Sequence, residues 1–203
     1  PDKLRSSYSA MRERERKVMK KIIFATGNAG KMKEIREILA DLPVEIYSMK
    51  EAGIAVEINE NGTTFEENAK IKAQTVAGCV DGDTIVLADD SGLEVDALNG
   101  EPGVYSARYM GEDTSYRIKN KSLVDRLEGV PAEKRTARFV CVIAAAFPDG
   151  SICTTRGTIE GKIGYEERGE NGFGYDPIFY LPDMSCTTAE LSPEEKNAIS
   201  HRG

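Results

Sequence analysis

The chain has 203 residues, and its hydrophobic (40%) and charged (30%) fractions are those of a globular protein of one domain. A formal net charge of −7 argues against binding to nucleic-acid polymers, because such binding needs a basic surface. No apolar run is long enough to span a membrane and no signal peptide is apparent, so we expect a cytoplasmic location. The cysteines include no Cys-x-x-Cys pair, which argues against a zinc site or a disulfide framework.

The N-terminal segment differs in composition from the rest of the chain. Residues 1–18 are polar, and their alternating charges are typical of a solvated helix over residues 7–17. We expect an N-terminal extension here, with Met19 as the natural start and one domain over residues 19–203.

From Met19 onward, strands and helices mostly alternate, as in an α/β sheet covered by helices. Apolar periodicity predicts strands at 22–25 and 84–88 and helices at 32–42, 63–80 and 116–127. A Pro-Asp-Gly turn at 148–150 predicts an antiparallel hairpin between residues 138–147 and 151–161. The predicted sheet is therefore mixed rather than purely parallel.

A Gly-rich turn joins the first strand to the first helix. It consists of Thr26, Gly27, Asn28, Ala29, Gly30 and Lys31. The two glycines permit a sharp turn and a close ligand, while the helix start and the lysine favour an anion. The turn predicts a phosphate site, although its spacing is not that of a P-loop. A turn without any ligand is the alternative.

A pair of carboxylates, Asp89 and Asp90, follows the predicted strand at 84–88 and precedes Ser91. Ligands of open α/β sheets bind at the carboxyl ends of strands, and paired carboxylates suit Mg²⁺ shared with substrate phosphates. Because successive strand side chains alternate between faces, we expect one aspartate to serve the cleft and the other to hold a turn. In the alternative, the pair only caps the turn.

The helix predicted at 63–80 begins with a capping box, Thr64 and Glu67, and places Lys72 within its apolar stripe. Lys72 is therefore predicted to face inward, where it either reaches an anion or extends past its neighbours to solvent. Glu60, in the polar loop before this helix, is a second candidate oxygen ligand, or an ordinary loop residue.

The C-terminal part contains a Gly-rich loop followed by a short helix. The loop holds Phe173, Gly174, Tyr175 and Asp176, and the helix and its end hold Lys196, His201 and Arg202. An aromatic ring on such a loop can stack on a base, and the alternative is a loop that packs as a plug. His201 is the only histidine, and a lone histidine is more often structural than catalytic.

Taken together, these residues resemble the inosine triphosphate pyrophosphatase family, also called the Ham1 family. The resemblance rests on six blocks in order: TGNAGKMKEI, NGTTFEENAKIKA, LADDSGLEVDAL, GVYSARYMGED, GFGYDPIF and AELSPEEKNAISHRG. It implies an α/β fold with an elongated mixed β-sheet flanked by helices, and two lobes with a central substrate cleft. The implied reaction is Mg²⁺-dependent hydrolysis of ITP, dITP and XTP to the monophosphate and pyrophosphate, by a homodimer.

The same resemblance implies roles for single residues. The turn from Thr26 to Lys31 would hold phosphates, Asp90 would be the general base, Glu60 with Asp90 would carry the metal, and Ser91 would contact substrate. The base and sugar would be bound by Phe173, Gly174, Tyr175, Asp176, Lys196, His201 and Arg202. From the residues themselves, a 6-oxo purine would accept hydrogen bonds from His201 and Arg202, whereas adenine offers a donor instead.

One departure from the family and two other functions stay open. Relatives generally continue past Ser-His-Arg-Gly into a final helix, so we expect that helix to be missing here and Arg202 to be weakly anchored. A nucleotide-binding or sensing module without turnover is one alternative function. A pyrophosphatase of related fold that acts on modified pyrimidine nucleotides is the other.

Overall fold

The computed structural model describes residues 20–203, so the helix predicted at 7–17 lies outside the described residues. Seven strands form one sheet, in the order β2-β1-β3-β4-β5-β6-β7. The strands are β1 (Lys20–Phe24), β2 (Val44–Ser48), β3 (Ile85–Val95), β4 (Thr136–Ala146), β5 (Ile152–Ile163), β6 (Phe179–Leu181) and β7 (Cys186–Thr187). The α-helices are α1 (Ala29–Ile38), α2 (Phe65–Ala77), α3 (Tyr116–Arg126) and α4 (Pro193–Ile199).

The sheet is mixed, as predicted. β1 lies parallel to both β2 and β3, whereas the pairs from β3 to β7 are antiparallel. The predicted hairpin is β4–β5, and the helices flank the sheet. The α/β class and the elongated mixed sheet are therefore confirmed.

The predicted end of the strand at residue 88 is wrong. β3 continues through Asp89 and Asp90 to Val95, because β4 pairs with it along this whole stretch. The two aspartates thus lie in the middle of a strand and not in a turn. Their side chains alternate between the two faces of the sheet, as the period of a strand requires.

The helices follow their predicted caps more closely than their predicted lengths. Thr64 and Glu67 form the capping box of α2, and Ser192 and Glu195 form that of α4. α1 is shorter than predicted, since it ends at Ile38 and leaves Leu42 exposed. None of the helices in residues 20–203 is long and apolar enough to cross a membrane.

The core is divided along β3. Val86 and Ala88 belong to an apolar cluster that packs under α2, whereas Leu93 and Val95 belong to another that includes residues of α3, β5 and β6. A third, smaller cluster lies under α1. The polar stretch from Asp89 to Ser91 lies between the first two clusters, which places it at the junction of the two predicted lobes.

Gly92 sits where the backbone of another segment comes close to β3. A Cβ atom at Gly92 would lie 2.6 Å from Ser106 Oγ and 2.9 Å from the Phe65 ring, and would also press on the Gly103 carbonyl oxygen. Ser106 Oγ accepts a hydrogen bond from Leu93 N at 2.9 Å and donates one to Gly103 O at 2.6 Å. The absence of a side chain at Gly92 therefore lets this segment dock beside the aspartates.

We expect Gly92→Ala to lower the free energy of unfolding by about 1–3 kcal/mol, the usual cost of overpacking. The control is Gly78→Ala, because a Cβ atom there meets nothing closer than 3.5 Å and its backbone is right-handed helical. Urea unfolding of both variants measures the difference. Equal stabilities would show that the segment moves aside without cost.

Candidate active site

Two adjoining compartments form one cleft at the middle of β3. Asn28, Lys31, Ser91 and Ala107 line both of them. The first, here called the phosphate compartment, is also lined by Thr26, Gly27, Glu60, Lys72, Asp90 and Arg108. The second, here called the base compartment, is also lined by Phe173, Gly174, Tyr175, Asp176, Lys196, His201 and Arg202. The sequence therefore predicted most of the polar lining, but not Ser106, Arg108, Glu112 or Tyr116.

The turn before α1 is built by short local hydrogen bonds. Asn28 Oδ1 accepts from Lys31 N at 3.0 Å and so caps α1, while Asn28 N donates to Thr26 Oγ1 at 3.1 Å. Asn28 N-caps the helix, so free N–H groups of its first turn are available to an anion at the cleft. This arrangement fits the predicted phosphate site.

Two residues of the predicted phosphate turn do not line the cleft. Ala29 and Gly30 already belong to α1, and neither glycine of the turn has the positive φ expected of a strained turn. Gly30 has another role, because a Cβ atom there would lie 2.6 Å from the Phe173 ring. Gly30 thus allows the aromatic loop to pack on the start of α1.

Asp89 is a buried member of an ion-pair network. It accepts from Lys31 and Arg202, and also from Ser91 Oγ at 2.9 Å and Cys141 Sγ at 3.1 Å. Burial alone would raise the pKa of Asp89, but the two cations outweigh burial and hold that pKa well below its ordinary value. The expectation that one aspartate holds a turn is wrong, since Asp89 neutralises cations instead.

Asp90 faces the phosphate compartment from the other side of β3. Its Oδ1 accepts from Lys72 Nζ at 3.0 Å, while its buried Oδ2 has no hydrogen-bond partner among the described residues. Burial raises the pKa of Asp90, Lys72 and Lys31 offset this only in part, and the nearby charge of Glu60 raises the pKa further. The two adjacent aspartates therefore have opposite pKa shifts, a pattern typical of a divided chemical role.

Lys72 faces inward, as its helical position predicts. Its Nζ lies 2.9 Å from Glu60 Oε2 and 3.0 Å from Asp90 Oδ1, so it reaches anions rather than solvent. Burial lowers the pKa of Lys72, but Asp90 and Glu60 outweigh burial and raise it. The loop residue Glu60 is thereby brought to the site, which its sequence position alone did not establish.

The ion-pair network extends from the base compartment to the phosphate turn. Acidic and basic side chains alternate along it in the order Asp176, Lys196, Glu34, Arg202, Asp89 and Lys31. Lys196 Nζ lies 2.5 Å from Glu34 Oε1 and 2.6 Å from Asp176 Oδ2. Three negative and three positive charges cancel, which is the condition for burying such a network without a severe penalty.

The aromatic loop, residues 173–176, is held in place by the carboxylate of Asp176. Asp176 Oδ2 accepts from Phe173 N at 2.9 Å and its Oδ1 accepts from Thr188 Oγ1 at 2.8 Å, while Tyr175 Oη donates to Ser106 O at 2.6 Å. Lys196 Nζ lies 4.9 Å from the centroid of the Phe173 ring. The loop is therefore a fixed wall of the base compartment, and Asp176 positions it.

His201 and Arg202 are both anchored, so the expectation of a weakly held Arg202 is wrong. Arg202 donates to Asp89 Oδ2 at 2.7 Å, to Ser91 Oγ at 3.0 Å and to Glu34. The His201 ring stacks on Phe139 with centroids 5.0 Å apart, and its buried Nδ1 has no partner among the described residues. Burial and the nearby Arg202 lower the pKa of His201 to about 3, so the imidazole is neutral.

Among the residues that sequence reasoning missed, Glu34 and Arg108 bring charge to the site. Glu34 is buried and bridges Lys196 and Arg202; its position one helical turn after Lys31 is the signal that could have indicated it. Arg108 lines the phosphate compartment, stacks on Tyr105 at 5.0 Å and makes no ion pair within residues 20–203. It lies in the block GVYSARYMGED, to which no single role was given.

Comparison with known proteins identifies the family of this chain. A model of the Ham1 family matches residues 22–203. The chain belongs to the Ham1 family. It is 52% identical over 183 residues to a dITP/XTP pyrophosphatase of Exiguobacterium sibiricum, covering 90% of this chain and 91% of that protein. It is 49% identical over 185 residues to the protein of the same name from Bacillus subtilis, covering 91% and 92%.

Solved structures of the family share the fold. The Ham1 protein of Staphylococcus aureus aligns with a TM-score of 0.78 at 44% identity, covering 90% of this chain and 92% of that one. The HAM1 protein of Coxiella burnetii aligns with a TM-score of 0.79 at 43% identity, covering 91% and 93%. The resemblance drawn from the six sequence blocks is therefore confirmed.

The neutral state of His201 has a measurable consequence for this Ham1 protein. Its pKa is about 3 in the folded state against 6.5 ordinarily, so only the unfolded chain takes up this proton between those values. The free energy of unfolding should fall by about 1.4 kcal/mol per pH unit from this residue as the pH drops below 6.5. Because His201 is the only histidine, its proton NMR signal is assigned without ambiguity. A titration midpoint near 6.5 in the folded protein would contradict this.

Proposed function

We propose that this chain hydrolyses the purine nucleoside triphosphates dITP, ITP and XTP to the monophosphate and pyrophosphate. The observation that carries the proposal is the contrast between Asp89 and Asp90. Asp89 is neutralised by cations, whereas Asp90 has a raised pKa and a free oxygen facing the phosphate compartment. Family relatives bearing the name dITP/XTP pyrophosphatase support this substrate class.

The residues divide the reaction into binding and proton transfer. The turn before α1 would hold the phosphates with its backbone N–H groups beside Lys31, which stays paired with Asp89, and Arg108 adds a cation that has no carboxylate partner in the described part of the chain. Asp90 accepts a proton from the attacking water as it adds to phosphorus. The α–β anhydride bond then breaks and pyrophosphate leaves. Positioning and charge neutralisation supply most of the remaining catalysis.

The donor set fits magnesium, which we propose as the cofactor. No group of three or more His, Cys, Asp or Glu side chains converges within residues 20–203. Mg²⁺ commonly takes one or two carboxylates, several waters and substrate phosphates, which Glu60 and Asp90 at the phosphate compartment can satisfy. The unpartnered Asp90 Oδ2 is an oxygen free to bind such an ion. When bound, the ion would neutralise charge on the phosphates.

Base recognition is assigned to the other compartment. Phe173 would stack on the base, and His201 would donate from one ring nitrogen to the 6-oxo group, since a neutral imidazole has one N–H. Arg202 is committed to Glu34, Asp89 and Ser91, so its proposed role is to position Ser91 and His201 rather than to act alone.

A substrate panel tests the proposed function. Pyrophosphate release is measured from ITP, dITP, XTP, GTP, ATP and dUTP, each with and without Mg²⁺. Preference for the first three substrates with Mg²⁺ supports the proposal. Release from none of them indicates a binding or sensing module, and preference for dUTP indicates a pyrimidine pyrophosphatase.

The assembly and location are also proposed. We propose a homodimer, because the large side chains Tyr105, Met110 and Ile118 are exposed on the segment before and within α3. Sedimentation of the purified protein tests this. We propose that the protein acts in the cytoplasm, in keeping with four cysteines that are all free, and that it binds nucleotides and not nucleic-acid polymers.

We expect Asp90→Asn to lower turnover of ITP about a hundredfold or more, because it removes the proton acceptor. Nucleotide affinity measured without Mg²⁺ should change little, and the loss of stability should be small because Lys72 keeps Glu60 as an ion-pair partner. Single-turnover kinetics and thermal unfolding measure both.

The adjacent Asp89→Asn is the contrast to Asp90→Asn. It should destabilise the fold by about 3–5 kcal/mol, because Lys31 and Arg202 would lose their common anion. The stabilising charge of Asp89 is present above its unfolded pKa of about 3.9 and is lost as the pH falls further. Near-normal turnover of folded Asp90→Asn would reject Asp90 as the base.

We expect His201→Phe to lower the ratio of catalytic efficiencies for ITP and ATP about fivefold to tenfold. Phenylalanine retains the stacking on Phe139 but removes the donor to the 6-oxo group. Phe173→Ala should instead weaken both substrates alike, because stacking tolerates any base. An unchanged ratio in His201→Phe would place base selection in the loop backbone around Gly174.

A further inference from the structure

Lys72 contacts both of the carboxylates that the proposed function assigns to magnesium. Its Nζ lies 3.0 Å from Asp90 Oδ1 and 2.9 Å from Glu60 Oε2, and its side chain is only 10% exposed. Ala69 and Val76, which precede and follow Lys72 on the same stripe of α2, are fully buried. The ammonium group is therefore the shared counter-ion of these two acids.

The net charge of Lys72, Glu60 and Asp90 determines how strongly a bound Mg²⁺ would be attracted or repelled. One ammonium and two carboxylates sum to −1, and a divalent cation added to them would raise the sum to +1. The added ion would also lie close to the Lys72 ammonium, because both use the same two side chains. Like charges at such separations repel strongly in a partly buried site.

Nucleotide phosphates would relieve this repulsion within the same compartment. Lys72 lines the phosphate compartment together with Thr26, Asn28 and Lys31 of the phosphate turn. A lysine side chain has four flexible methylenes and three donors, so its ammonium can turn to a new anion while its stem stays packed. Lys31 cannot take this role as readily, because it pairs with the fully buried Asp89.

We propose that Lys72 competes with Mg²⁺ for Glu60 and Asp90, and that the triphosphate removes the competition by accepting the Lys72 ammonium. Magnesium then binds weakly to the free protein and tightly with nucleotide. Each ligand strengthens the other by the same factor, as linkage requires. This inference rests on the proposed function only for the identity of the two ligands.

The test measures Mg²⁺ binding directly and does not depend on turnover. Titration calorimetry with MgCl₂ alone is performed on the wild type, on Lys72→Gln and on the control Lys70→Gln. Lys70 lies on the same helix but is exposed and pairs with Glu66. We expect Lys72→Gln to bind Mg²⁺ at least tenfold more tightly than the wild type, and Lys70→Gln to match the wild type.

A second titration includes an ITP analogue with a non-hydrolysable α–β bridge. Because the phosphates themselves bind Mg²⁺, a titration of the analogue without protein is subtracted. The remaining tightening of Mg²⁺ binding should be at least tenfold greater in the wild type than in Lys72→Gln. Lys72→Met, which keeps the apolar stem, replaces Lys72→Gln if thermal unfolding shows that the glutamine variant does not fold.

Two results would overturn the inference. One is Mg²⁺ affinity in folded Lys72→Gln or Lys72→Met that equals or falls below that of the wild type without nucleotide. The other is a tightening of Mg²⁺ binding by the analogue that is as large in the folded Lys72 variant as in the wild type. Failure of the proposed function is separate, because it would appear as no pyrophosphate release from any purine triphosphate even where the Mg²⁺ titrations behave as expected.

Discussion

The alternating chain of buried charges from Asp176 to Lys31 is the interaction on which the site depends. It joins the aromatic loop, α4, α1, the C-terminal residues and β3, segments that are far apart in sequence. Each charge is compensated by neighbours of opposite sign, so removing one leaves a buried charge unpaired at a cost of about 3–5 kcal/mol. The network therefore fixes the walls of both compartments together.

This constraint explains how two adjacent aspartates acquire different chemistry. The strand period sends Asp89 to the face of the network, where cations hold its charge and lower its pKa. The same period sends Asp90 to the phosphate compartment, where its single cation is shared with Glu60 and burial dominates. The alternation of the strand thus gives two identical residues different roles. Asp89 stabilises the ion-pair network, and Asp90 faces the phosphate compartment.

The ion pairs also determine which cations of the cleft are available to a ligand. Lys31 is committed to Asp89 and Arg202 is committed to three partners, so these cations shape the cleft more than they attract substrate. Lys72 and Arg108 are less committed. Lys72 pairs with two acids that are also the proposed Mg²⁺ ligands, and Arg108 makes no ion pair in residues 20–203. Nucleotide binding should therefore move the Lys72 ammonium more readily than Lys31 or Arg202.

Local sequence rules determined much of this protein. The helix stripe placed Lys72 inward, the capping boxes located the starts of α2 and α4, and the turn before α1 lies in the cleft as predicted. The linear pattern could not show that β3 continues past Asp90, because its pairing with β4 is a long-range interaction. Nor could it reveal the burial of Glu34, the neutral His201 or the third partner of Arg202, since those depend on which distant segments meet. The sequence by itself determined most of the residues that line the cleft and the local geometry of their helices and turns. Only the tertiary structure decided their charge states, because pKa shifts arise from burial and from neighbours distant in the chain.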